Sequence, residues 1–114
     1  MSSILNDIKK VCSVPEDYDA FDQDLILHAN TIFMVLHQLG VGPEDGFSIS
    51  DDTDDWDSYT GIDDLEAVKT YVSLRVRLLF DPNGTSYVIS AIEKSVSELE
   101  WRLCLEAEEV NQNG

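Results

Sequence analysis

Between Lys10 and Lys69 the sequence contains no lysine and no arginine. The whole chain of 114 residues has 7 basic residues against 23 acidic ones, a formal net charge of −16. Binding to nucleic-acid phosphates needs Lys and Arg to displace counterions. Non-specific DNA or RNA binding is therefore excluded, and an anionic membrane surface is repelled in the same way. Long apolar runs are missing too. The stretch Val76 to Phe80 is interrupted by Arg77 and falls far short of the roughly 20 apolar residues that span a bilayer. Asn6, Asp7, Lys9 and Lys10 break any hydrophobic region near the start, so no secretory signal pattern is present and synthesis in a cytosol is expected. The two cysteines, Cys12 and Cys104, are then expected to be reduced, structural thiols beside apolar neighbours.

Catalytic constellations are equally sparse. His28 and His37 are nine positions apart, which at about 100° per residue puts them on opposite helix faces, unable to share a metal. Asp55, Asp57 and Glu66 match positions of a calcium loop, but Tyr59 and Thr60 stand where a ligand and a glycine are required. No glycine-rich nucleotide pattern occurs. Carboxylates are abundant, yet a catalytic pair needs unequal environments in a cleft. The sequence assigns no catalytic, cofactor-binding or metal-binding residue, and the expectation is a non-enzyme without cofactors.

What is present is one domain, residues 1–114, with 43% hydrophobic residues. A chain of this length hides roughly two-thirds of its unfolded surface. Four helices are predicted, giving an all-α bundle. The first runs from Ser3, a capping residue, to Val14, with Ile4, Ile8, Val11 and Cys12 at helical spacing and Pro15 as its stop. The second opens at Asp19 and carries Phe21, Leu25, Ala29, Ile32, Leu36 and Leu39 as one stripe, closed by Gly40. The third is announced by a capping box, Asp63 and Glu66, with a core stripe from Leu65 through Val68, Val72 and Val76 to Leu79. Ala67, Tyr71, Leu74 and Leu78 widen that stripe, as a central helix requires. The turn Asp81-Pro82-Asn83-Gly84 follows. The fourth helix spans about residues 85–107 with Ile89, Ile92, Val96, Leu99 and Leu103 inward, and residues 106–114 form a polar, frayed tail. Trp101 and Leu105 lie four apart on a different azimuth, a separate apolar edge suited to an interface.

Residues 41–62 form a long acidic connection between the second and third helices. Phe47-Ser48-Ile49 alternates as one short strand would. A connection this long is expected to be mobile or functional. Its aromatics, Phe47, Trp56 and Tyr59, have two readings. They are anchors for a partner, since aromatics are enriched at interface hot spots, or they pin the loop to its own domain. Its acids, Asp51, Asp52, Asp54, Asp55 and Asp57, either serve solubility or form a surface with a job.

The stretch LEAVKTYVSLRVRLLFDP at residues 65–82, then Ser86-Tyr-Val and Glu98-Leu-Glu-Trp-Arg-Leu, resembles the small head–tail connector proteins of tailed bacteriophages. Ile4-Leu-Asn-Asp-Ile-Lys-Lys and the helix end Leu39-Gly40-Val41-Gly42-Pro43 fit the same pattern. Asn83-Gly84 in place of a second proline, and Cys12 in place of an aliphatic residue, depart from it. The resemblance implies a helical bundle with a protruding loop. Copies would assemble into a ring, usually of about twelve. That ring would sit under the portal protein in the virion neck, made in the host bacterial cytoplasm. It would extend the channel for double-stranded DNA and receive the next joining or stopper protein. An acidic channel wall avoids trapping phosphates, and Asp51, Asp52, Asp54, Asp55 and Asp57 are its candidate lining. The competing class is a small acidic DNA mimic that inhibits a nucleic-acid enzyme. It would need carboxylates in two regular rows, whereas these acids cluster in one loop and at helix starts.

Overall fold

Ser3 opens the first helix as its position predicts. In the computed structural model, which describes residues 3–59, 65–80 and 86–113, the Ser3 hydroxyl accepts the backbone N–H of Asn6 at 3.3 Å. That bond satisfies one of the donors a helix start leaves unpaired. Helix α1 (Ile4–Val11) buries Ile4, Leu5 and Ile8. It closes in a Schellman motif: the N–H groups of Ser13 and Val14 donate back to the carbonyls of Lys10 and Lys9 at 3.3 and 2.8 Å. Ser13 holds the left-handed position at φ 60°, so the helix ends before Pro15 acts on it. Helix α2 (Asp22–Gln38) ends in the same motif, with Gly40 at φ 84° in the left-handed position. The N–H groups of Gly40 and Val41 reach the carbonyls of His37 and Leu36 at 3.0 and 2.9 Å. Gly40 is thus the C′ residue expected of it.

The start of α2 differs from the sequence expectation. Asp19 does not cap it; the helix begins at Asp22, and Phe21 stands at the cap with no side-chain bond. The reason is tertiary. The Lys9 ammonium, its side chain only 3% exposed, meets the Asp22 carboxylate at 2.6 Å and donates to the Glu16 carbonyl at 3.1 Å. The Phe21 ring packs with Tyr18 and Phe80, centroids 5.4 and 5.1 Å away. A buried ammonium tolerates removal from water only when paired, so this ion pair fixes which residue enters the first turn.

Helix α3 (Leu65–Phe80) is central. It packs against α2, α4 and α1, and α1 also meets α2. It buries Ala67, Val68, Tyr71, Val72 and Val76, as its wide stripe requires. Leu79 departs from that stripe: it is 45% exposed, at the rim of a cleft between α3 and α4 with Arg75, Ile89 and Glu93. Helix α4 (Ser86–Asn113) buries Ile92, Val96 and Leu103. It continues past the expected end near Ala107, because Glu106-Ala-Glu-Glu favours helix and no breaker intervenes. Its core face is braced to α3 by polar bonds. The Tyr71 hydroxyl donates to Glu100 Oε2 at 2.8 Å and accepts from Arg75 Nη1 at 2.9 Å. The expected capping box at Asp63 and the turn at residues 81–84 lie outside the described residues. The result is an all-α bundle of extents 44 × 34 × 20 Å. Among the described residues, no helix is long and apolar enough to cross a membrane.

Candidate interaction surfaces

The acidic connection folds inward. Phe33 of α2 gathers its three aromatics, with ring centroids 4.9 Å from Phe47, 5.4 Å from Tyr59 and 6.1 Å from Trp56. Phe47 and Tyr59 meet edge to face at 5.1 Å. Trp56 is 2% exposed, and its indole N–H donates to Asp7 Oδ2 of α1 at 2.8 Å. Tyr59 is buried, its hydroxyl donating to the Val41 carbonyl at 3.3 Å, and burial pushes its phenol well above the ordinary range. Gly42, at φ +96°, lies directly under the Tyr59 ring, where any Cβ would collide with it. Trp56, Tyr59 and Phe47 thus hold the loop against its own domain through Phe33.

Residues 47–49 form no strand. The side-chain amide of Asn30 does a strand partner's work: it donates to the Ile49 carbonyl at 3.0 Å and accepts the Ile49 N–H at 2.7 Å. An isolated β-bridge between Ser3 and Asp55 ties the loop to the start of α1, and the Ile4 N–H donates to the Asp54 carbonyl at 3.0 Å.

The five candidate lining aspartates divide into two kinds. Asp54 accepts the N–H groups of Ser50 and Asp51, at 2.7 and 3.3 Å. Asp51 accepts from the Thr53 N–H at 2.8 Å. Bonds from the Thr53 hydroxyl and N–H hold the Asp51 carboxyl below its ordinary range. Asp55 caps the short 3-10 turn Trp56–Ser58 through the Ser58 N–H at 3.2 Å. These three shape the backbone in the manner of Asx turns. Asp52 and Asp57 are exposed and make no such bond. Among the described residues, no group of three or more His, Cys, Asp or Glu side chains is placed to hold a metal.

Two other surfaces face outward. On α2, opposite the buried Leu25, Ala29, Ile32 and Leu36, runs an exposed line: Asp24, Leu27, Thr31, Met34 and Gln38. Leu27 and Met34 are 65% and 55% exposed. On α4, opposite the buried Ile92, Val96 and Leu103, runs a second: Tyr87, Ala91, Lys94, Glu98, Trp101 and Leu105. Both lines alternate steps of three and four, the spacing of a helix–helix seam. Trp101 is 66% and Leu105 39% exposed, so the separate apolar edge expected of them is present. The line on α2 was not foreseen from the sequence, since the inward stripe leaves Ile26, Leu27, Phe33, Met34 and Val35 over and only the fold sorts the buried Ile26 and Phe33 from the exposed Leu27 and Met34.

The residue pattern of the phage connector protein family matches residues 4–110, nearly the whole chain. The chain belongs to that family. No curated protein and no solved structure matches it. As a phage connector protein it has a structural role in joining head to tail, and it is a component of the virion. The all-α bundle agrees with that membership. Cys12 and Cys104 of this connector are not joined in a disulfide. Burial, with the charges of Glu100 and Glu108, raises the Cys104 thiol above its ordinary value.

Proposed function

We propose that this connector works as a ring beneath the portal protein, extending the DNA channel and docking the next joining or stopper component. The family match over residues 4–110 carries the reading. The exposed lines on α2 and α4 support it, because a monomer gains nothing from leaving Leu27, Met34, Tyr87 and Trp101 in water. A copy number of about twelve is what the resemblance implies, and head-to-tail contacts that close would give such a ring. Trp101 and Leu105 contact a neighbour in the assembly, while Trp56, Tyr59 and Phe47 serve it through the loop they hold in place.

The DNA passes without specific binding, along a wall that carries part of the −16 charge. Asp52 and Asp57 are the loop carboxylates best suited to that wall, since neither is spent on a turn. Replacing both by lysine keeps the fold and the ring but slows DNA delivery and makes it more salt-sensitive. Normal delivery by such a particle would remove the loop from the channel. The decisive experiment for the ring is native mass spectrometry or electron microscopy of the protein mixed with its portal. A large closed assembly supports the connector ring. A tight one-to-one complex with a nuclease or polymerase, and no ring, supports the DNA mimic instead.

A further inference from the structure

We propose that the cleft between α1 and α3 is a carboxylate-binding site, filled in the assembly by an acid from the cation-free stretch of a second copy. This rests on the self-assembly proposed above and names one contact within it. Lys10 and Lys69 are the two cations that bound that stretch in sequence. The fold brings both to one cleft of about 230 Å³, lined also by Val11, Thr70, Ser73, Leu74 and a single acid, Asp7. Lys10 is exposed and has no ion pair among the described residues. The Lys69 ammonium lies over the Trp56 ring, 6.0 Å from its centroid. The acids nearby leave these charges available. Asp7 Oδ2 already accepts the Trp56 indole N–H at 2.8 Å. Glu66 lies outside the cleft lining and reaches Lys69 only at 3.6 Å, from a side chain 83% exposed, a surface pair worth little.

Ser73 singles out this cleft. Among the described residues two polar or charged ones are buried, Lys9 and Ser73. Lys9 is paired with Asp22. Ser73 is 6% exposed and lines the cleft, and its hydroxyl has no hydrogen-bond partner among the described residues. A carboxylate entering the cleft accepts from that hydroxyl and from the two ammonium groups, the charge-assisted bonds that are strongest. The volume suits one acidic side chain, with Val11 and Leu74 against its methylenes. The complementary acids stand on the same chain. Asp17, Asp19 and Asp24 are exposed and make no side-chain bond among the described residues, in a stretch with no cation of its own. Each copy therefore offers both halves of the contact. A line of DNA phosphates is the poorer occupant, because it meets the field of a chain at −16 along its whole length. A single carboxylate meets only the local charges, since about 8 Å of physiological salt solution screens the rest.

The test is zero-length carbodiimide coupling, which joins an ammonium to a carboxylate in direct contact. It is applied to assemblies formed with portal protein from a mixture of isotope-labelled and unlabelled full chains. Lys10 or Lys69 should couple to an acid between residues 11 and 68 of a chain carrying the other label, identified by mass spectrometry of the peptides. Two variants sharpen the result. Lys10→Glu with Lys69→Gln removes both charges while keeping a stem over Trp56, and should weaken assembly at least about tenfold. Ser73→Ala breaks no internal bond, so it should melt like the parent and yet weaken assembly at least about threefold. Coupling confined to single chains or to portal acids, or normal assembly by the lysine double variant, would overturn the proposal while the ring stands. If the parent protein does not assemble even with portal, the ring reading itself falls, and this contact with it.

Discussion

The chain has two tryptophans and treats them in opposite ways. Trp56 sits in the most acidic stretch of the sequence, yet it is buried at 2% exposure with its N–H bonded to Asp7. Trp101 sits on a regular helix among core-forming neighbours, yet it is 66% exposed. Local polarity would have sorted them the other way round. What decides is the supply of partners across the chain. Phe33, Phe47 and Tyr59 converge on the loop from both sides of it, whereas the azimuth of Trp101 points away from everything α4 packs on. The loop that could have been a free arm is an internal part of the fold, and the helix whose sequence carries a spare apolar edge exposes it.

The largest effect expected is at the centre of that shared core. Val72 is fully buried on α3. Val72→Asp introduces an unpaired carboxylate there, costing at least about 4 kcal/mol, a large share of a small domain's stability. Far-ultraviolet circular dichroism should show an unfolded or barely folded chain, and a normal melting curve would mean that α3 is not the centre. The tryptophans themselves come next. Trp56→Ala removes a packed indole and strands the Asp7 bond, a loss of about 3–5 kcal/mol. Trp101→Ala should leave the melting temperature nearly unchanged and weaken self-association instead. Equal melting temperatures for the two variants would break the comparison.

Tyr59 gives the same contrast a pH dependence. Its folded phenol is raised above the unfolded value of 10.0 by burial. A group raised in this way contributes stability that is fully present below the unfolded value. As pH climbs past 10.0 the unfolded chain loses its phenolic proton first, so stability falls. Alkaline denaturation should therefore be delayed in Tyr59→Phe relative to the parent, after allowance for the lost bond to Val41. An identical alkaline midpoint would show that the Tyr59 ring is wet. The smallest effect separates the aspartates. Asp54→Ala removes the acceptor for two backbone N–H groups, a loss of about 1 kcal/mol, whereas Asp57→Ala should be silent in thermal melts. If both are silent, the loop is not held by its Asx turns.

Much of this fold was legible because helices announce themselves locally. Ser3 and Gly40 cap where their chemistry demands, and the stripes of α2, α3 and α4 repeat at helical spacing with the expected residues buried. The misreadings share one cause. Asp19 is a good capping residue, but the buried pair between Lys9 and Asp22 overrules it. Phe47-Ser48-Ile49 alternates like a strand, but Asn30 satisfies the Ile49 backbone without a sheet. The helix end at Ser13 needed no glycine, because its two returning bonds hold a serine in the left-handed region.

Periodicity and capping chemistry therefore determined the fold class, since each depends on residues within a few turns of one another. The state of the acidic connection and the division of its aspartates were decided only by tertiary structure. Burial is a property of what arrives from elsewhere in the chain. Trp56 is separated from Asp7 by 49 positions, and no local pattern encodes that meeting.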